Sequence, residues 1–155
     1  MPLRHLLIVA HTPSPNTLRV RDALLAGAQS PEVEGVVTRA LSPFQTGPED
    51  VWAASGVLLM TPENLGYMSG ALKDFFDRCY YPCLDRTQGL PYALCIRAGS
   101  DGMGTRRGVE TIVTGLRWRA IQAPLICRGD WRDEFVDQCR ELGLLMAAGL
   151  EVGVF

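Results

Sequence analysis

Residues 6–10, Leu6-Leu7-Ile8-Val9-Ala10, form an unbroken apolar run that ends in the turn-rich stretch His11-Thr12-Pro13-Ser14-Pro15-Asn16. A run that is apolar at every position, rather than at every second one, marks a strand covered on both faces. The same form recurs at Gly56–Met60 before Thr61-Pro62, at Tyr92–Ile96 before Ala98-Gly99-Ser100, and at Ala123–Cys127 before Arg128-Gly129-Asp130. Val33 to Leu41 is more polar and suits a sheet edge. Helical patterns lie between these runs. Val20, Ala23, Leu24, Gly27 and Ala28 fall at helical spacing after Asn16. Leu72, Phe75, Phe76 and Cys79 repeat that spacing after Ser69, a candidate N-cap, with Lys73/Asp77 and Asp74/Arg78 paired on the opposite side. Val109, Ile112, Val113 and Leu116 make a third helix near Thr105, and Phe135, Cys139, Leu142 and Met146 a fourth after Asp133. A short helix starts at Pro48, with Glu49 and Asp50 in its first turn. Five alternations of strand and helix predict an α/β domain spanning residues 1–155, a parallel sheet with right-handed crossovers and helices on both faces.

Composition narrows the functional classes. The 155 residues are 47% hydrophobic and 21% charged, with fifteen basic residues against seventeen acidic ones and a formal charge of −2. That balance offers no electrostatic footprint for nucleic acid or an anionic membrane. No segment approaches the ~20 apolar residues of a membrane span, and the N-terminal stretch does not read as a signal peptide. Five cysteines, odd in number and mostly isolated in apolar surroundings, argue against a disulfide framework and suit a reducing cytoplasm. Cys79 and Cys83 frame three residues, which is not the redox C-x-x-C spacing. His5 and His11 are the only histidines, and no third ligand is spaced to make a metal site with them. Arg106, Arg107, Arg117 and Arg119 read first as a solvated face and second as a reader of a ligand phosphate.

Ligands of such sheets bind outside the carboxyl ends of the strands, which directs attention to three loops. The first, His11 to Thr17, carries the hydroxyls of Thr12, Ser14 and Thr17 at a helix start, where backbone N–H groups suit a phosphate dianion. It has neither G-x-G-x-x-G nor the P-loop Gly-Lys-Ser/Thr. An Asn-capped turn without a ligand is an equally good reading of this loop alone. The second, Thr61 to Lys73, has Gly66 and Gly70, which would also serve a plain tight loop and helix start. The third, Ala98 to Thr105, supplies three glycines where backbone can approach a ligand closely, or where a turn is simply flexible.

The first loop, ending in Asn16-Thr17, resembles the phosphate loop of flavodoxins and of NAD(P)H-dependent FMN reductases. The second resembles the reductases' Thr-Pro-Glu-Tyr-Asn-Gly-Ser-x-x-Gly-x-Leu-Lys segment, with Pro62, Glu63, Gly66, Gly70, Leu72 and Lys73 matching. Asn64 stands where that family has tyrosine, Leu65 where it has asparagine, and Tyr67 offers a displaced aromatic. Pro15 replaces the family's common glycine, which removes one amide donor. The resemblance implies a three-layer flavodoxin-like sandwich with a five-stranded parallel sheet in the order 2-1-3-4-5. It implies non-covalent FMN held by His11, Thr12, Ser14, Asn16 and Thr17 at the phosphate, with Pro62, Glu63, Asn64, Leu65, Gly66 and Tyr67 at the flavin N5/O4 edge. Gly99, Ser100, Asp101 and Gly102 then border the isoalloxazine. The activity implied is an oxidoreductase that takes hydride from NAD(P)H and passes electrons to a quinone, free flavin or similar small acceptor; no catalytic side chain is needed for hydride transfer between stacked rings. The alternatives are a flavodoxin-type electron carrier and a flavodoxin-like domain that has lost its cofactor. Related reductases complete their site across a homodimer interface, to which the apolar tail Val152–Phe155 would contribute.

Overall fold

The computed structural model describes residues 2–155. Its elements are strand β1 (Arg4–Ala10), helix α1 (Pro15–Ala28), strand β2 (Val36–Leu41), a 3-10 turn (Pro43–Gln45), helix α2 (Pro48–Trp52), strand β3 (Gly56–Asn64), strand β4 (Tyr67–Met68), helix α3 (Gly70–Cys83), strand β5 (Pro91–Ala98), helix α4 (Met103–Gly115), strands β6 (Arg119–Ala120) and β7 (Leu125–Arg128), and helix α5 (Glu134–Val152). β1 pairs in parallel with β2 and with β3, β3 with β5, and β5 with both β6 and β7. The spatial order is β2-β1-β3-β5-β6. It is the expected 2-1-3-4-5 arrangement, with two departures that bring the strand segments to seven.

The first departure is the fifth sheet position, read from the sequence as one strand over Ala123–Cys127. It is split into β6 and β7, and Pro124 lies in the gap, where its missing N–H cannot join the ladder. The second is that β3 does not stop at Thr61-Pro62. It runs on to Asn64 and folds back through the antiparallel pairs Glu63–Met68 and Asn64–Tyr67, so the second loop is a β-hairpin. Two smaller boundaries also move. β2 begins at Val36 rather than Val33, because Gly35 turns the chain with φ +73°. α4 begins at Met103, two residues before Thr105.

The continuous apolar runs explain the layering. In β1, Leu6, Ile8 and Ala10 pack with Val20, Leu24, Phe135 and Met146 of α1 and α5, whereas Leu7 and Val9 pack with Leu72, Phe75 and Val109 of α3 and α4. β3 and β5 divide the same way, Leu58, Met60, Ala93 and Cys95 to one side and Val57, Leu59, Leu94 and Ile96 to the other. Both faces of the sheet are thus buried, at roughly 1.5–3 kcal/mol for each large apolar side chain removed from water. Among the described residues no helix is long and apolar enough to cross a membrane.

Candidate functional site

The carboxyl ends of β1, β3 and β5 bring the three loops to one end of the sheet. In the first, Ser14 caps α1: its Oγ accepts from the Thr17 N–H at 3.2 Å, and the Thr17 Oγ1 accepts from the Ser14 N–H at 3.0 Å while donating to the Ser14 carbonyl at 2.9 Å. This reciprocal capping box satisfies two of the donors that a helix start leaves open. Thr17 is buried and fully engaged, so it fixes the loop rather than facing outward. The Ser14 hydroxyl is engaged twice, accepting from the Thr17 N–H and lying 2.9 Å from the Thr17 Oγ1, to which its proton points because the Thr17 proton is given to the Ser14 carbonyl. Among the described residues, the Thr12 hydroxyl and the Asn16 N–H take no protein partner, and Pro15 supplies no N–H. His11 meets Phe44 edge-on at 6.4 Å, and partial burial lowers its pKa from the ordinary histidine value.

The β3–β4 hairpin turns at Leu65 and Gly66, whose φ angles of 52° and 74° are both positive, as a two-residue type I′ turn requires. Glycine adopts that conformation freely; leucine pays roughly 1–2 kcal/mol to do so. Leu65 sits fully exposed at the tip, with Asn64 and Tyr67 exposed beside it. The hairpin base is pinned by Thr61, whose Oγ1 accepts from the Ser69 N–H at 3.0 Å and donates to the Pro62 carbonyl at 2.8 Å. Ser69 caps α3 as expected, accepting from the Leu72 N–H. Pro62 is buried inside β3, opposite Arg97, and so lies beneath the loops.

Glu63 joins the second loop to the third. Its carboxylate accepts from the Ser100 N–H and from the Gly102 N–H, each at 2.8 Å, while Asp101 accepts from the Met103 N–H at 3.0 Å. Negative charge is thereby placed at the start of α4, where the helix dipole favours it. Two of the amides in the third loop are committed to Glu63, and Gly102 is itself buried. The other side of the hairpin is seated on α4. A Cβ on Gly104 would lie 1.9 Å from the Gly66 carbonyl oxygen, and one on Gly108 would lie 2.5 Å from the Tyr67 ring. Gly104 is one of the three glycines of the 98–105 stretch, and the structure places it in the first turn of α4; Gly108 lies i+4 from it on the same helix face, and that spacing is the signal for the pair.

The five cysteines are mostly isolated along the sequence, yet three of them meet in the structure. Cys95, Cys127 and Cys139 converge between the sheet and α5, with their sulfurs within 4.8 Å of one another. Sequence separation hid the cluster. Cys79 and Cys83 are likewise buried, on α3, and burial pushes the Cys79 thiol up to about 11.

As a donor set, the strand ends suit a flavin mononucleotide. The Thr12 hydroxyl and the Asn16 N–H offer neutral donors beside a helix start for a phosphate, with the Ser14 hydroxyl next to them held in the capping box, and Leu65 and Tyr67 offer apolar surface to a ring. No protein-family model matches the chain, and no curated protein matches it. Among solved structures it is similar to a flavodoxin from the domain Archaea, at 16% identity and a TM-score of 0.80 over 94% of this chain and 98% of that one. It is similar to a WrbA-like flavodoxin from Agrobacterium tumefaciens at 15% identity and a TM-score of 0.75, over 95% and 97% of the two chains. An NADH:FMN oxidoreductase in its apo form gives 14% identity and a TM-score of 0.72, over 97% of this chain and 89% of its own. The strand order, the layers and these full-length likenesses show that the chain has the flavodoxin-like fold.

Proposed function

We propose that the chain is an FMN-binding oxidoreductase that takes reducing equivalents from NAD(P)H and delivers them to a small acceptor such as a quinone or a free flavin. The observation that carries this reading is Leu65. An exposed leucine held at positive φ is strained and leaves apolar surface in water, and both costs are sustained by an anchored scaffold, the Glu63 bridge on one side and the Gly104 seat on the other. Strain maintained by its surroundings points to function. In this reading Thr12, Ser14 and Asn16 hold the phosphate, and Asn64 to Tyr67 with Gly99 to Asp101 border the ring. FMN, when bound, supplies the hydride and single-electron chemistry. Glu63 and Thr17 keep the loops in place, and Leu65 and Tyr67 exclude water from the ring faces. The five unpaired thiols accord with a reducing, cytoplasmic setting.

Titration of the purified protein with FMN tests the first step, with saturable one-to-one quenching of flavin emission expected. Leu65→Asp places a charge on the apolar tip and should weaken that binding at least tenfold. Unchanged flavin emission at concentrations well above micromolar would overturn the proposal. Anaerobic addition of NADPH or NADH to the loaded protein then separates a reductase, whose flavin absorbance bleaches rapidly, from a carrier, whose spectrum stays as it was.

A second reading, a domain of this fold without cofactor, is favoured by one observation. Pro15 and the closed Ser14–Thr17 box together leave the start of α1 largely satisfied by itself. The FMN titration decides between the two.

A further inference from the structure

The cysteine cluster lies outside the strand-end site. Cys95 comes from β5, Cys127 from the edge strand β7 and Cys139 from the second turn of α5, and all three are fully buried. The Cys95–Cys139 and Cys127–Cys139 sulfur separations are 3.8 and 3.9 Å, and the remaining one is no longer than 4.8 Å. An ion equidistant from sulfurs so spaced sits about 2.2–2.5 Å from each, which brackets a metal–thiolate bond (Zn–S is about 2.3 Å). The ring needs no large rearrangement to close on a metal.

A second feature points the same way. Arg97 lies directly across from Cys127 in the sheet register and on the face that carries Cys95. Its guanidinium is half-buried, donates to the Ala98 and Cys127 carbonyls at 2.8 and 3.0 Å and lies 5.3 Å from the Phe135 ring, and Arg132 covers the same ring at 5.0 Å. Among the described residues neither arginine has a carboxylate partner within 4.0 Å; Arg132 is exposed to solvent, whereas the half-buried Arg97 is held against the carbonyl of Cys127 itself. Three thiolates on a divalent ion carry one net negative charge, which these arginines offset.

We propose that Cys95, Cys127 and Cys139 form a closed three-thiolate site for one soft, thiophilic divalent ion. Sulfur-only ligation selects soft d10 ions over hard ones such as magnesium or calcium. All three sulfurs lie in the core, away from solvent, so the ion is structural, tying the edge strand and α5 to the central sheet.

The test uses the reduced, full-length protein titrated anaerobically with Cd(II) in the presence of a weak competing chelator. One equivalent should bind, with a thiolate-to-metal charge-transfer band and a rise in melting temperature. X-ray absorption at the cadmium edge should count three sulfurs. Cys95→Ala, Cys127→Ala and Cys139→Ala should each lose the band, whereas the double variant Cys79→Ala/Cys83→Ala should keep it. Absence of binding, a sulfur count of two or fewer, or a band that survives in the cluster variants and vanishes in the double variant would each overturn the proposal. If the cluster variants fail to fold, the sulfur count on the unaltered protein decides alone. FMN binding is not involved in any of these measurements.

Discussion

The first loop and the β3–β4 hairpin meet at the same end of the sheet, yet they are held in unlike ways. The first loop closes on itself, since every hydrogen bond of its capping box lies within Ser14–Thr17. The hairpin is held from a distance, by a carboxylate that reaches amides 37 and 39 residues further on and by a helix glycine pressed against its tip. A locally closed turn depends little on the rest of the fold. A turn held through tertiary contacts is ordered only when α4 and β5 are in place, so its geometry reports on the whole strand-end region.

The largest expected effect follows from the seat on α4. Gly104→Val would force a side chain to within 1.9 Å of the Gly66 carbonyl oxygen, a backbone atom that cannot rotate away. The hairpin or the helix must shift, at a cost of about 3 kcal/mol. A urea titration should show the lower midpoint, and a loss below about 1 kcal/mol would mean that the hairpin is not seated as described. Next comes the bridge. Glu63→Gln keeps the shape but replaces one acceptor oxygen by an NH2 group facing an N–H donor, with an expected loss of about 1.5–3 kcal/mol. Hydrogen exchange at the Ser100 and Gly102 amides should quicken by roughly 10–100-fold, and the Thr17 amide should not change. If all three change together, the two regions are coupled and the contrast between them fails.

This contrast also explains what could be read in advance. Residues 6–10 announced a doubly covered strand because all five are apolar, and their alternate side chains do go to opposite helical layers. Ser69 and Pro48 were legible as helix starts, since capping is local chemistry. The Ser14–Thr17 box falls in the same class, although its hydroxyls suggested a ligand before they suggested each other. Glu63 was singled out by its segment, but its role was not legible, because a carboxylate in a loop carries no sign of which distant amides it will accept from. The hairpin was missed for a related reason. Leu65-Gly66 lacks the Asn-Gly or Asp-Gly signature of a type I′ turn, and tertiary seating on Gly104 supplies what the local sequence does not. Cys95, Cys127 and Cys139 meet only through the sheet register and the rotation of α5, which no spacing in the chain encodes.

At the self-closed loop smaller effects are expected. Ser14→Ala removes the cap acceptor and should destabilise by about 1 kcal/mol, without altering exchange at Ser100 or Gly102. Pro15→Gly is the most informative change there, because its two consequences have opposite signs. Glycine widens the conformational freedom of the unfolded chain, which should cost about 0.4–1 kcal/mol in the free protein. It also restores an N–H at the start of α1, beside the Ser14 hydroxyl and the Asn16 amide. On the proposed reading, one added hydrogen bond to a charged phosphate is worth about 1.5–3 kcal/mol, enough to tighten FMN binding tenfold or more. A protein that melts earlier when free and yet holds FMN more tightly would show that the missing amide limits the phosphate end. An earlier melt with unchanged affinity would place that limit elsewhere, in the closed Ser14–Thr17 box, and Ser14→Gly, which opens the box while sparing the backbone, would be the variant to measure next.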